Sequence, residues 1–294
     1  HCESRLMGFD QFWSRSEVNK SLVLQFGHIE ISDLEISAIS SAIREAYKHS
    51  DVVGVPKLEV VKSVQDRLWD ALPGIIEHYS LNGEIQAICS ANVHLHLLQS
   101  GLLWKVIGEF SRVVIISCRN VVGVFSRRFP NIDFRQIFTP EEFRTREGGK
   151  QYHVRHYPDA FFSICDQIRE KVEDGDLVLI GAGFLGKIYC DLSKRRGAVV
   201  LDLGSVFDAL AGISSRSFMD EGYITNYSIV GDSDSHGGQA TGVDSSKVFP
   251  GTWRVSGGSK PRWNSSNHNK SVVLSPADSP KLVSQNEMGF FIHS

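Results

Sequence analysis

The stretch Asp176-Leu-Val-Leu-Ile-Gly181-Ala-Gly183-Phe-Leu-Gly186-Lys187 carries the clearest structural signal in this chain. Consecutive apolar residues are typical of a buried strand, and the Gly-x-Gly-x-x-Gly spacing after them is typical of a tight turn into a helix. Glycines let the backbone come close to a phosphate, and the free N–H groups at the helix start attract the anion. The stretch therefore predicts a strand, a turn and a helix that form a phosphate site. A tight turn that binds no ligand is the alternative interpretation.

Asp202 extends this prediction toward a nucleotide. It ends the next apolar run, about 20 residues after Gly181, where a carboxylate that binds ribose is expected. Lys187, at the start of the predicted helix, adds a positive charge for the phosphates. Dinucleotide enzymes usually carry such a fingerprint on their first strand, whereas here it comes late in the chain. The catalytic groups are therefore expected in segments that precede it.

Apolar runs and amphipathic stretches alternate along the chain before residue 220. The predicted strands are 21–26, 51–55, 85–90, 112–118, 134–138, 177–180 and 199–203. The predicted helices are 32–49, 57–78, 92–110, 122–129, 157–172 and 184–196. The continuously apolar strands are typical of a parallel sheet that is covered on both faces. The pattern therefore predicts an α/β fold with a doubly wound, mostly parallel, Rossmann-like sheet.

The composition defines the class and the domain boundaries. Of the 294 residues, 41% are hydrophobic and 22% are charged, as in ordinary globular proteins. Serine and glycine become frequent near the C-terminus, where no helical or strand period is visible. We therefore expect an N-terminal extension at 1–14, one domain at 15–221 and a disordered tail at 222–294.

Charge, hydropathy and cysteine usage exclude several classes of protein. The net charge of −3 argues against a nucleic-acid partner, because phosphate binding normally requires a basic excess. No run approaches the roughly 20 apolar residues that a membrane helix needs, so no transmembrane segment is expected. The five cysteines are scattered and form no Cys-x-x-Cys pair. Free thiols in a reducing compartment are the better interpretation, which predicts a cytoplasmic protein.

A short acidic segment follows the first predicted strand. His28 and Glu30 are two residues apart, so on an extended chain their side chains point the same way and can bind one metal ion or one sugar. Two solvated loop residues are the equally consistent alternative. Asp33 and Glu35 form a second acidic pair. Ser32 and Glu35 match a capping box, so this second pair is better interpreted as a helix start.

The chain resembles the GT-D-fold glycosyltransferases at both ends of the predicted domain. The residues Gly27-His28-Ile29-Glu30, together with 41–46 and 51–56, are similar to the N-terminal half of that family. The segments 179–187 and 201–208 resemble its closing βαβ unit. The match spans about residues 20–216 and implies a GT-D-like α/β domain.

The resemblance also implies an activity and a cofactor. The family transfers a sugar from a nucleoside diphosphate sugar, here expected to be a UDP-sugar, to a hydroxyl acceptor such as a glycan. Its Asp-x-Glu pair binds a divalent metal near the diphosphate, and in this chain the aligned pair is His28-x-Glu30. Histidine is a ligand for Mn²⁺ and suits Mg²⁺ poorly. Asp33-x-Glu35, in a shifted register, is the alternative pair.

The predicted site of a hexosyltransferase combines the two ends of the domain. The expected metal ligands are His28 and Glu30, which bind Mn²⁺ or Mg²⁺, and the expected catalytic carboxylates are Glu30 and Asp208. Asp208 would contact a sugar hydroxyl or act as a general base. The nucleotide is expected to contact Gly181, Gly183, Gly186, Lys187, Asp202 and Ser205. An NAD(P)-dependent oxidoreductase and a nucleotide-binding module without chemistry remain the alternative functions.

Overall fold

The computed structural model describes residues 2–26, 31–55, 67–81, 87–142, 154–216, 219, 221–228 and 289–293. They fall within one compact unit that comprises His1–Ser233 and Glu287–Ser294. None of the helices in these ranges is long and apolar enough to cross a membrane.

Strands and helices alternate along these ranges. The strands are β1 (Val52–Val55), β2 (Ala87–Ser90), β3 (Arg112–Ser117), β4 (Asp133–Phe138), β5 (Leu177–Gly181), β6 (Val199–Asp202) and β7 (Gly289–His293). The helices are α1 (Cys2–Met7), α2 (Arg15–Phe26), α3 (Asp33–Lys48), α4 (Arg67–His78), α5 (Val93–Gln99), α6 (Leu102–Gly108), α7 (Val122–Arg128), α8 (Phe161–Lys171), α9 (Gly186–Lys194), α10 (Val206–Leu210) and α11 (Glu221–Tyr227). A turn at His156–Ala160, in which Tyr157 has an extended backbone, precedes α8, and a 3₁₀ turn at Gly183–Leu185 precedes α9.

The strands form one sheet in the order β2-β1-β7-β6-β5-β3-β4. The pairs β1–β2, β3–β4, β3–β5 and β5–β6 are parallel, whereas β7 is antiparallel to both of its neighbours. The predicted α/β class and the mostly parallel sheet are therefore confirmed.

Helices cover both faces of the sheet, so the core has two layers. Along β3, Val114 and Ile116 join a buried cluster with α1, α2, α3, α8 and α9, while Val113 and Ile115 join a cluster with α5, α6, α7 and α10. Successive side chains of a strand point to opposite faces, which explains the continuously apolar sequence of this strand. Burial of each such side chain contributes about 1.5–3 kcal/mol.

The segment 21–26 is the main correction to the sequence prediction, because it lies in helix α2 and not in a strand. Its buried residues Val18, Ser21, Leu22 and Gln25 follow the helical spacing of three and four. The helix begins after Ser14, whose backbone N–H and hydroxyl both donate hydrogen bonds to the Glu17 carboxylate. A short apolar run does not distinguish a strand from a buried helix.

The predicted helix at 92–110 is divided into α5 and α6. Gly101 separates them with a φ of +71°, a left-handed conformation that ends the first helix. The predicted capping box at α3 is confirmed, since the Ser32 hydroxyl accepts from the Glu35 N–H while the Glu35 carboxylate accepts from the Ser32 N–H.

Both ends of the chain differ from their predicted description. The segment 1–14 is predicted as an extension, yet Leu6, Met7, Phe9 and Trp13 are buried in the first core cluster. In the predicted disordered tail, α11 is helical, and β7 pairs with β1 and β6 inside the sheet. The sequence of β7, Gly-Phe-Phe-Ile-His, is rich in residues that favour strands. The remainder of the tail lies outside the described residues.

Candidate functional site

The candidate site lies where the chain leaves β3 and β5 in opposite directions. Ser117 and Gly181 are register partners at the carboxyl ends of these parallel strands. The helix after β3 buries Phe125 in one core cluster, and the helix after β5 buries Tyr189 in the other. Open α/β sheets bind ligands in the crevice that such a divergence leaves at the carboxyl edge.

The glycine turn has the predicted strand–turn–helix form. Gly183 has a φ of +59°, and a Cβ at this position would lie 1.8 Å from Oε1 of Gln25. A Cβ at Gly181 would lie 2.7 Å from the carbonyl oxygen of Gly204. A Cβ at Gly186 would lie 3.3 Å from Cγ2 of Ile180, where α9 packs on β5. The close approach of the Gly204 backbone therefore requires a glycine at 181, the positive φ favours one at 183, and the packing at 186 is tight.

The end of helix α2 packs directly on this turn. Gln25 is buried beside Gly183, and the ring centroid of Phe26 lies 5.1 Å from that of Phe184. The predicted metal ligands His28 and Glu30 come next in the sequence but lie outside the described residues. They follow a helix and not the predicted strand.

Lys187 and Asp202 are paired with each other. The Lys187 ammonium donates a hydrogen bond to Oδ2 of Asp202 and lies 3.4 Å from Oε1 of Glu3. Oδ1 of Asp202 accepts from the Gly204 N–H at 3.1 Å. Burial acts to lower the pKa of Lys187, but the two carboxylates outweigh it and raise the pKa above its ordinary value. Contact of either residue with a nucleotide would require rearrangement of this pair.

Arg119 connects the segments that follow β3 and β4 with α10. Its Nε donates to Oδ1 of Asp208 at 2.7 Å, and its Nη1 donates to Oε1 of Glu141 at 2.6 Å. Oδ2 of Asp208 accepts from the Ser215 hydroxyl. Burial acts to lower the pKa of Arg119, but the acidic groups around it raise the pKa above its ordinary value. The predicted catalytic carboxylate Asp208 is therefore held at both oxygens.

Glu142 lies beside the glycine turn. Its Oε1 is 3.3 Å from the position that a Cβ of Gly183 would occupy, and it is 3.7 Å from Nη2 of Arg216. Ser205, the predicted nucleotide contact, is buried immediately before α10, where its carbonyl oxygen accepts from the Asp208 N–H at 3.1 Å. The carboxyl edge thus brings together groups from four separate segments of the chain.

Two further titratable groups at this edge are uncharged at neutral pH. Burial lowers the pKa of His94 to about 3, and the positive charges of Lys187 and Arg216 act in the same direction. Burial raises the pKa of Cys118 to about 11. His94 is therefore not a cation here, and Cys118 is not a thiolate nucleophile.

The part of the chain that the structure describes contains no group of three or more His, Cys, Asp or Glu side chains that could hold a metal ion. Glu141 and Asp208 hydrogen-bond to Arg119, which opposes a second cation on the same oxygens. The expected metal ligands His28 and Glu30 lie outside the described residues, so the metal site stays a prediction.

No motif in the sequence pointed to Arg119, Glu141 or Glu142. The available signal was their position, since they follow two of the predicted strands, 112–118 and 134–138, at the carboxyl edge of the sheet. A charge next to a strand end is common, however, and the pairing partners are far apart in sequence.

Comparison with known proteins identifies no relative. The chain matches no family model, and no curated protein or solved structure is similar to it. The described residues form an α/β protein with a mostly parallel sheet and a cluster of charged side chains at the carboxyl edge of that sheet. The GT-D resemblance remains a prediction.

Proposed function

We propose that this protein is a glycosyltransferase that moves a sugar from a UDP-sugar to a hydroxyl acceptor. The observation that supports this proposal is the packing of Gln25 and Phe26 against Gly183 and Phe184. The proposal needs the segment after Phe26 and the glycine turn to act on one ligand. The residues directly before that segment lie against the turn.

The diphosphate of the donor is proposed to bind at the glycine turn. The N–H groups that begin the 3₁₀ turn and α9 supply positive potential, and the lack of a side chain at Gly183 allows close approach. The Gln25 carboxamide occupies the space beside Gly183, so the ligand would displace or contact it. Ser205 and Lys187 are also proposed to contact the diphosphate. Lys187 would then give up part of its contact with Asp202.

The charge balance of the crevice favours a divalent cation with the donor. Arg119 is shared by two carboxylates, and Arg216 faces Glu142, so these described groups have no net positive charge. His28 and Glu30 are the proposed ligands of Mn²⁺ or Mg²⁺. Such an ion, when bound, neutralises charge on the leaving diphosphate.

Asp208 and Glu30 are the proposed catalytic carboxylates. A carboxylate has about four lone-pair sites, so Asp208 can contact a reacting hydroxyl while Arg119 and Ser215 hold it. The contribution to the rate would be mainly orientation of the two substrates and stabilisation of the leaving group.

The test compares ligands by isothermal titration calorimetry and thermal unfolding. UDP-glucose and UDP-galactose, with and without Mn²⁺, are compared with NAD(H) and NADP(H). We expect stabilisation by a UDP-sugar and slow release of free sugar from it. Stabilisation by NAD(P) alone would reject the transferase. Binding of a UDP-sugar without turnover or hydrolysis would indicate a non-catalytic module.

A further inference from the structure

Two consecutive glutamates follow β4 at the candidate site, and different arginines contact them. Glu141 accepts from Arg119 at 2.6 Å, whereas Glu142 lies 3.7 Å from Arg216 and faces Gly183. Because the two residues are adjacent, the contact that holds the first also restricts the backbone of the second.

We propose that Glu142 is a specificity-determining residue that accepts hydrogen bonds from hydroxyls of the donor sugar. We also assign Arg119 as a positioning residue that holds Glu142 in place through Glu141. This inference rests on the proposed function and names the part of the donor that these side chains recognise.

The location and charge of Glu142 distinguish a sugar contact from a phosphate contact. Its Oε1 lies 3.3 Å from the Cβ position of Gly183, so it borders the turn at which the diphosphate is proposed to bind. A carboxylate repels phosphate oxygens, but it accepts strong hydrogen bonds from hydroxyl groups. The Glu142 side chain is 20% exposed, so solvent and a ligand can reach it. The residue is therefore suited to distinguish a nucleotide sugar from the free nucleotide.

Arg119 has the geometry of a rigid connector. Its side chain is 10% exposed, and its planar guanidinium contacts Asp208 on one side and Glu141 on the other. The Gln136 amide donates to the Arg119 carbonyl oxygen at 2.6 Å, which fixes the backbone after β3 to β4. Lysine keeps the charge but lacks the planar fork, so it cannot reproduce both contacts.

Arg112 provides a matched control at the other end of the same strand. Its Nε bonds to Asp176 and its Nη1 lies 2.7 Å from Glu173, so it also bridges two carboxylates. Its side chain is 19% exposed. Arg112→Lys therefore weakens a similar bridge at the edge away from the candidate site.

The experiment measures the dissociation constants of UDP and UDP-glucose, each with Mn²⁺, for the wild type and for four variants of the full chain. In Glu142→Gln we expect UDP-glucose to bind about tenfold more weakly, while UDP binds as tightly or more tightly. Arg119→Lys and Glu141→Gln should also raise the ratio of the UDP-glucose dissociation constant to the UDP dissociation constant. Arg112→Lys should leave this ratio unchanged. Because Arg119 also holds Asp208, Glu141→Gln tests the route through Glu142: added to Glu142→Gln, it should weaken UDP-glucose binding little further.

Each outcome has a separate meaning. If the wild type prefers UDP-glucose and Glu142→Gln keeps that preference, the role of Glu142 is refuted while the proposed function stands. If Arg112→Lys changes the ratio of the two dissociation constants as much as Arg119→Lys does, the effect is a general loss of rigidity. The positioning role of Arg119 is then refuted. If Arg119→Lys fails to fold, Glu141→Gln decides the positioning role. If the wild type binds no UDP-sugar, the proposed function fails and the inference fails with it.

Discussion

Ser117 and Gly181 are register partners on adjacent parallel strands, and the chain leaves them toward opposite faces of the sheet. Two residues beyond Ser117 lies Arg119, and two residues beyond Gly181 lies Gly183. The shared register therefore places a buried guanidinium and the glycine turn at the same edge. This relationship, and not any single motif, defines the crevice in which a ligand is expected.

Gly183→Ala should destabilise the protein more than Gly204→Ala. Both glycines have positive φ values, +59° and +47°, so alanine at either position costs about 1 kcal/mol in backbone strain. A Cβ at 183 would also displace the buried Gln25 carboxamide, whereas nothing lies within 4 Å of a Cβ at 204. We expect Gly183→Ala to lower the free energy of unfolding in urea by about 1 kcal/mol more.

The double variant Gly183→Ala with Gln25→Ala identifies the cause of that difference. If the Gln25 side chain is the obstacle, the second substitution recovers part of the loss. Equal losses for the two glycine variants would contradict the contact between Gln25 and the turn.

Lys187→Met should be strongly destabilising, because it leaves the buried Asp202 carboxylate without its cation. Removal of one partner of a buried pair typically costs about 3–5 kcal/mol. Arg169→Met is the control, because Arg169 and Asp166 form an exposed pair whose loss costs less than about 1 kcal/mol. Guanidinium denaturation of both variants measures the difference. Similar small losses would show that Lys187 and Asp202 are not coupled in the folded protein.

Acid should destabilise the protein through His156. Burial lowers the pKa of His156 from 6.5 to about 3, and its Nε2 lies 2.9 Å from the Tyr189 hydroxyl oxygen. Between these pKa values the unfolded chain binds a proton that the folded chain does not, so stability falls as the pH falls. From pH 7.5 to pH 5 this one group should remove about 2 kcal/mol of unfolding free energy.

His156→Gln should remove the part of the pH dependence that comes from this group, since glutamine does not titrate, and leave the part that comes from His94. Urea denaturation at a series of pH values gives the slopes. An unchanged slope in His156→Gln would contradict a buried neutral histidine at this position.

Ser32→Ala should destabilise helix α3 by about 1 kcal/mol, because it removes the hydroxyl that accepts from the Glu35 N–H. Ser14→Ala should cost less, because the Ser14 N–H still donates to Glu17. Ser41→Ala, at an exposed position inside α3, should be neutral or slightly stabilising because alanine favours helices. Thermal and urea unfolding measure the three variants. A neutral Ser32→Ala would contradict the capping box of α3.

Local signals in the sequence determined much of the fold. The strand, turn and helix around Gly183, the capping box of Ser32 with Glu35 and the continuously apolar strand β3 were all predictable. Each depends on residues that are close together in the chain, where periodicity, caps and glycine conformations act directly. The same local pattern was ambiguous at 21–26, where a short apolar run fits both a strand and a helix.

Only the tertiary structure brought Arg119 between Glu141 and Asp208, paired Lys187 with Asp202, and placed β7 between β1 and β6. These partners are 15 or more residues apart, and their meeting depends on strand order and register. A propensity or a motif describes one segment, whereas a buried ion pair depends on which segments the sheet places side by side. The chain itself encodes the groups at the carboxyl edge, and the packing of the sheet decides which of them act together.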